Sequence, residues 1–557
     1  MTMRTAWRRL RHLESLAVRT VSRDIAKRRM RRSDTALDRT ATAVTTRFDA
    51  PLPYRVRELP ARSVELSSPR DHALKLLERV RTVLQNNDVP RAEARVSTAA
   101  PNTIALRAHD WVAAANLLSR EIQTLLIGIG GITAGASEFV RQPSVQALEG
   151  AAVLHLLDPA VTLHAGRVIS RYGFESAVRL ERWDPTEEGR YTAAIWNPRT
   201  ELLAPEAFRI VLDVNAEPTA SSTAAEDAAA ALQQTALLDV DFPIDVVYTW
   251  VDGTDPVWLA RKRDALETDA GERMTEDAAA DLRFVAHDEL RHSLRSLEQY
   301  APWVRHVYLV TDRQRPAWLR EDHPRLTIVD HKDIAPAGTR LPSFNSQAIE
   351  ANLHRIEGLS EHFLYFNDDV FLSSPVTPDL FFNPNGIASM YMSRAHVGPG
   401  APVQGEPASD SAGKNARALV REATGRRVSR KLFHAPFALR RSVSYEIEER
   451  WPDVVAATRD AQFRRIDDVT LSGALHMNYA FATGRAVTRG IRYRYANVGA
   501  HDAAARLSGL ERDRDVLQTF CLNESTHEID PVTLDHQVRS FLHRRFPDTS
   551  SFEIPGA

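Results

Sequence analysis

A single cysteine, Cys521, stands in 557 residues, which excludes an internal disulfide and any cysteine-rich metal site. That scarcity is the usage of a reducing compartment, although it is equally compatible with secretion. No run approaches the roughly 20 apolar residues that a membrane-spanning helix requires. Excess charge of one sign is missing too: the net charge is -2 with 26% of residues charged, so no global argument for nucleic acid or an acidic partner arises. A phosphate-cradling glycine loop is also lacking, since the glycine-rich stretch 397–413 does not have P-loop spacing. The length exceeds what one core serves and implies two to four domains.

Residues 1–50 form a basic N-terminal arm in which Trp7, Leu10, Leu13, Leu16 and Val18 alternate with Arg4, Arg8, Arg9, Arg11 and Arg19. Such a segment suits an anionic membrane surface; a solvated arm or a packing helix is the competing reading. It lacks the continuous apolar core of a secretory signal. The expectation is a cytoplasmic protein, with peripheral contact at the inner face of the cell membrane as a further one. Pro51, Pro53 and Pro60 mark a linker.

Residues 51–240 read as an accessory α+β domain and linker. A helix carries Ala73, Leu76, Leu77, Val80 and Leu84, an extended piece covers Thr103 to Leu106, and a second helix covers Trp111 to Leu126. Strands are expected at Val161 to Ser170, Ser176 to Trp183 and Tyr191 to Trp196. No cluster of catalytic residue types appears there, so its expected role is acceptor selection or assembly. The stretch Glu217 to Gln234 reads as a linker or an alanine-rich helix.

Beyond residue 240 the pattern becomes α/β. Ile244 to Val251 is β-prone and stops at Asp252-Gly253. Leu290, Leu294 and Leu297 recur at helical spacing before Pro302. Val307 to Val310 ends in Thr311-Asp312, Leu326 to Val329 ends in Asp330, and Phe363 to Phe366 opens onto Asn367-Asp368-Asp369. Alternating strands and helices imply a mainly parallel sheet whose strand C-termini share one edge, where such sheets bind ligands. Asp252, Asp312, Asp368 and Asp369 are thereby candidates to converge. Taken singly, Asp252 is a turn former and Asp312 a helix N-cap, and for Asp330 a purely structural role is favoured. Adjacent Asp368 and Asp369 can share one site only if the backbone turns there, and their repulsion calls for a proton or a hard divalent cation.

Several long segments, in this order, resemble the conserved regions of the Stealth family: IDVVYTWVDGTDPVW (244–258), ELRHSLRSLEQYAPWVRHVYLVTDRQRPAWL (289–319), LPSFNSQAIE with HFLYFNDDVFL, HAPFALRRSV (434–443) and FCLNE (520–524). The resemblance covers about 244–525, which defines a catalytic domain at 241–525 and a C-terminal extension at 526–557. It implies a Rossmann-like or glycosyltransferase-A-like core that transfers a hexose 1-phosphate, or an N-acetylhexosamine 1-phosphate, from a nucleotide sugar to a glycan hydroxyl in capsular or cell-wall polysaccharide synthesis. Its expected partners are a nucleotide-sugar donor and a polysaccharide acceptor, without nucleic acid. An ordinary metal-dependent glycosyltransferase and a non-catalytic glycan-binding protein are the rivals.

The chemistry asks for carboxylates holding a cation against a diphosphate, a cationic group facing developing charge, and a base for the acceptor proton. Asp368 and Asp369 are the expected ligands of Mg2+ or Mn2+. His434, in a loop constrained by Pro436, is the expected base or phosphate donor, with Asp252 a second candidate base. The resemblance assigns Arg464 to the phosphate, and Asp468 is placed to orient it. Asn345, Asn367 and Asp312 are expected to bind the donor, although asparagine in a loop more simply bonds backbone. Arg291 and Arg295 stay outside the catalytic set, since Glu298 at helical spacing could simply pair with one or the other. Residues 397–431 read as a mobile glycine- and arginine-rich insert; its basic run could attract an anionic glycan, or form a solvated helix face.

Overall fold

The structure, a computed structural model, describes residues 44–48, 57–93, 102–130, 139–208 apart from 196 and 198, 232, 234–268, 274–275 and 284–557 apart from 527. The basic arm through residue 43, and nearly all of the stretch 217–234, lie outside the described residues.

In the N-terminal part the first helix is Pro69–Asn86, capped by Ser68, whose hydroxyl accepts from the Asp71 amide. Its apolar stripe, Leu76, Leu77, Val80 and Leu84, is buried against the helix Ala108–Glu121. That second helix stops short of the expected Leu126 because Leu126–Gly130 is already a strand. The single strand expected over 161–170 is two antiparallel ones, Ala160–His164 and Arg167–Tyr172. Ala165 and Gly166 between them both take positive φ, at 47° and 76°, which is the conformation a two-residue hairpin turn demands.

The elements that position the site follow in chain order. They are β1 (Ile244–Thr249), α1 (Pro256–Thr268), α2 (Glu289–Tyr300), β2 (Val307–Thr311), β3 (Leu326–Asp330), β4 (His362–Asn367), β5 (Val370–Leu372), β6 (Met392–His396), α3 (Ala408–Thr424), β7 (Arg430–Leu432), β8 (Phe437–Arg440), β9 (Tyr493–Asn497), β10 (Thr519–Asn523) and α4 (Pro531–Arg545). The main sheet has the order β3-β2-β1-β4-β8. Its first four strands are parallel and β8 is antiparallel to β4. This is the Rossmann-like order, and the chain reverses direction across the sheet between β1 and β4, the crevice where such sheets take ligands.

Strand β4 is apolar on both faces because both are covered: Phe363, Leu364, Tyr365 and Phe366 are all at most 1% exposed. Each such burial contributes about 1.5–3 kcal/mol. Helix α2 closes on the next strand through small side chains one turn apart. Ser293 donates to the Val370 carbonyl at 2.6 Å, and Ser296 accepts from the Leu372 amide at 3.1 Å. Strand β5 pairs with β10, Val370 opposite Cys521, so residues 519–523 lie beside the turn that follows β4. The Leu522 amide donates to the Asp369 carbonyl at 2.9 Å and fixes that turn.

Three expectations need correction. Residues 408–424 of the supposed mobile insert are helix α3, with Ala412, Ala416 and Val420 buried. Two of its cations are tied down rather than solvated: Lys414 pairs with Glu406, and Arg417 donates to the Gly398 and Gly400 carbonyls. Arg291 and Arg295 do not pair with Glu298. Both reach the fully buried Glu553, Arg295 through two bonds of 2.7 Å, while Glu298 accepts from Ser551 and faces Arg325. Residues beyond 525 are no appendage, since Val538, Phe541, Leu542, Phe546 and Phe552 belong to the same hydrophobic cluster as the sheet.

Candidate active site

The turn between β4 and β5 carries Asp368 and Asp369, and the two carboxyls have opposite surroundings. Asp369 Oδ1 lies 3.2 Å from His434 Nε2. Its Oδ2 accepts from Asn523 Nδ2 at 3.1 Å and from the Cys521 thiol at 3.3 Å. Burial pushes this carboxyl up, but the charge and hydrogen bond of His434, with those of Asn523 and Cys521, outweigh it and hold Asp369 below the usual carboxylate range. Asp368 accepts from no side chain among the described residues, only from the amides of Asp368 and Asp369. Burial, then the charges of Asp369 and Glu289, raise it well above that range.

His434 reaches this turn because Phe433 closes the ladder with Tyr391 and the chain then runs through Pro436 into β8, the neighbour of β4. Its side chain is 34% exposed, against 16% for Asp369. Burial disfavours the imidazolium, yet the carboxylate of Asp369, helped by Glu350 and Asp368, raises the imidazole above its ordinary value. A carboxylate can only accept, so Nε2 carries the proton. Nδ1 has no partner among the described residues and is left for a substrate.

Two further acids line the site without having been singled out from the sequence. Glu350 is raised to about 7 by burial, opposed by the charges of Arg464 and His434, and Tyr365 donates to it at 3.4 Å. Glu289, at the start of α2, is likewise raised to about 7 by burial, with Asp369 adding to the rise and His287 opposing it. Both lie inside the segments already quoted, at the end of LPSFNSQAIE and the start of ELRHSLRSLEQY. Cys521 and Asn523 lie in FCLNE, but only the pairing of β5 with β10 reveals their purpose.

Arg464 donates to Ser346 Oγ at 2.7 Å and influences Glu350, which puts the guanidinium on the His434 side. Asp468 is buried and accepts from the Arg465 amide and from Asn345 Nδ2, each at 2.7 Å. Asn345 is fully buried; its amide also donates to the Ala461 and Phe463 carbonyls, and its oxygen caps the helix Ser346–Glu350. Together they shape the loop that presents Arg464, with both bonds to Asp468 falling on its Oδ2. Burial raises Asp468 to about 7 despite those bonds.

The remaining candidates sit at the ends of β1 to β4. Asp252 Oδ1 accepts from the amide and hydroxyl of Thr254, and Gln314 bonds both the Asp252 amide and its carbonyl. Asp312 is buried in an ion pair with Arg261 at 2.7 Å. Asp330 caps the short helix after β3 in a capping box. Asn367 ends β4 half-buried, opposite Thr249 of β1.

Asp369, His434 and Cys521 offer ligand atoms within 4.8 Å of one another. Burial, reinforced by Asp369, pushes the Cys521 thiol well up, so it acts as a hydrogen-bond donor. Asp368 is the group whose strain a cation would relieve, and carboxylate oxygens are the donors hard divalent ions prefer. The residues present therefore fit a divalent cation.

Family models match this chain at three places: Stealth protein conserved region 1 at residues 242–269, region 2 at 283–390 and region 3 at 433–481. An exopolysaccharide phosphotransferase of Streptomyces coelicolor is 44% identical over 68% of this chain and 65% of its own length. Nocardia farcinica has an exopolysaccharide phosphotransferase 40% identical over 57% of this chain and 62% of its own. The exopolysaccharide phosphotransferase CpsY of Mycobacterium tuberculosis is 36% identical over 57% and 59%. The chain thus spans less than two thirds of the length of these curated relatives. Among solved structures it is similar to the galactosyltransferase LgtC in complex with donor and acceptor sugar analogs, at 14% identity, 56% of this chain, 98% of that one and a TM-score of 0.28. WbbM, a bifunctional glycosyltransferase, aligns at 8% identity, 55% and 52% coverage and a TM-score of 0.29. Three conserved regions in family order, laid over the strand ends, the acid turn and the His434 loop, make this chain a member of the Stealth family.

Proposed function

We propose that this protein transfers a hexose 1-phosphate or N-acetylhexosamine 1-phosphate from a nucleotide sugar, a UDP-sugar, to a hydroxyl of a glycan, forming a phosphodiester in exopolysaccharide or cell-wall polysaccharide. The observation that carries the reading is the Asp369–His434 pair beside a second, uncompensated carboxyl. It gives a base with a fixed tautomer next to a cation site, and the relatives' printed names supply the reaction class.

His434 Nδ1 takes the proton of the acceptor hydroxyl while Asp369 stabilises the imidazolium that forms. The acceptor oxygen bonds to the sugar-side phosphorus, the bond from that phosphorus to the bridging oxygen breaks, and nucleoside monophosphate leaves. Arg464 faces the charge on the transferring group, and its planar fork suits two phosphate oxygens. Asp368 and Asp369 would hold Mg2+ or Mn2+, which when bound neutralises diphosphate charge.

Purified protein incubated with a UDP-sugar and a glycan acceptor should release UMP and yield a phosphodiester. Chelation should stop turnover and Mg2+ or Mn2+ should restore it. Release of UDP would instead identify an ordinary glycosyltransferase, and binding without either nucleotide would leave a glycan-binding protein.

A further inference from the structure

Immediately upstream of His434 the chain forms a two-stranded ribbon, β6 paired with β7, His396 opposite Arg430 and Met392 opposite Leu432. Arg394 and His396 on one strand, and Arg426, Arg427 and Arg430 leading into and along the other, are exposed. None of the five has an ion-pair partner among the described residues. The sequence contains no Asp or Glu from 380 to 405, nor from 423 to 445. The nearest acids are already engaged, Asp410 by Lys431 and Glu422 by the Trp451 indole. The ribbon is therefore a cationic face without internal neutralisation, in a protein whose overall charge is nearly balanced.

The ladder runs from this face to the site. Val397 bonds Ser429 at the outer end and Phe433 bonds Tyr391 at the inner end, one residue from His434. From Arg430 to His434 is about 13 Å of extended chain. We propose that this ribbon is the docking track for the acceptor when the acceptor is itself a phosphodiester-linked glycan. The inference rests on the reaction proposed above: each transfer adds one anionic phosphodiester, so a product that serves as the next acceptor is a polyanion. A basic track ending at the base then favours extension of longer chains. About 13 Å exceeds the ~8 Å screening length at physiological ionic strength, so the arginines act on binding and leave the chemistry at His434 unchanged.

The test compares the native protein with the triple variant Arg426→Gln/Arg427→Gln/Arg430→Gln and the charge-reversed Arg426→Glu/Arg427→Glu/Arg430→Glu. The residues are exposed, so an unchanged Tm is the folding control. By fluorescence anisotropy, a labelled phosphodiester-linked hexose oligomer should bind the native protein, weaken with salt, and outcompete a neutral oligomer of equal length. The triple variant should bind it about tenfold more weakly, the sum of three exposed charge contacts at ~0.5 kcal/mol each. In turnover assays KM for that oligomer should rise similarly with kcat unchanged, and KM for a short neutral acceptor should stay put. Equal binding of charged and neutral oligomers, native-like binding by both variants, or tighter binding of anionic lipid vesicles than of the oligomer would overturn the proposal. Oligomer binding that needs the arginines in a protein that releases UDP would refute the transfer reaction while leaving the track. UMP release indifferent to acceptor charge would refute the track alone.

Discussion

Replacing Asp369 by Asn tests the site most directly, because the side chain keeps its shape and loses only its charge and one acceptor. In the native protein Oδ2 serves Asn523 and Cys521, and Oδ1 serves His434. The variant's carbonyl oxygen can keep the two donors on the Oδ2 side, which puts the new amide NH2 against His434 Nε2. An amide NH2 cannot accept, so the imidazole must give up the Nε2 proton and carry it on Nδ1. The nitrogen facing the acceptor hydroxyl is then already protonated and cannot serve as a base. A wrong tautomer in a comparable carboxylate–histidine pair costs about 10⁴-fold in kcat, which corresponds to about 5.4 kcal/mol. The assay is UMP release at saturating UDP-sugar across pH, with thermal unfolding as the folding control. In the native enzyme the base must be neutral, so activity should rise with pH through the raised imidazole value. Losing the Asp369 charge should move that acid limb to lower pH. A kcat within tenfold of native, or an acid limb that stays where it was, would refute the assignment of the pair.

Arg464→Lys should lower kcat/KM by about 10²-fold or more, because a point charge cannot span two phosphate oxygens; near-native kinetics would remove Arg464 from the phosphate site. Glu553→Gln should destabilise by about 3–5 kcal/mol in urea titration, since it strands the charges of Arg291 and Arg295. Glu553 is held below its ordinary value, against burial, by Arg295 and Arg291. The stability it contributes is therefore present above the unfolded carboxyl value and should be lost as pH falls through the lowered one. Asp468 has the opposite sign: raised to about 7 by burial, its contribution is complete below the unfolded value and declines as pH rises toward 7. Asp468→Asn, with its oxygen still able to accept from Asn345 and Arg465, should lose less stability than the native protein between pH 4 and pH 8, and an identical slope in urea titrations would contradict this.

The parallel strands and their acidic ends were legible because each is a short β-prone run stopped by a turn residue, a pattern contained within ten residues. What was hidden depends on pairings across great sequence distance. Nothing local in FCLNE says that it lies beside β5, yet that register is what delivers Cys521 and Asn523 to Asp369. Glu289 and Glu350 carry no local signal of their own, and only burial beside other charges marks them out. At Asn345 the backbone-bonding alternative is the one the structure displays: its buried side chain bonds the Ala461 and Phe463 carbonyls, Asp468 and the Gln347 amide and holds the loop carrying Arg464. Residues 397–431 misled because composition alone suggested a mobile segment, whereas Ala412, Ala416 and Val420 at helical spacing give α3 a face to bury.

The contact between α2 and Glu553 also constrains how the protein can be made. Arg295 and its partner are 258 residues apart. At a synthesis rate of about 5–20 residues per second, roughly 13–50 s pass between them. For that interval the strands that cradle the acid turn can assemble, but the guanidinium groups beneath α2 remain without their counter-charge. The helix that carries Glu289 into the site is thus completed last, by residues that take no part in the chemistry. A nascent chain halted before residue 553 should hold a formed sheet around an unsecured active site.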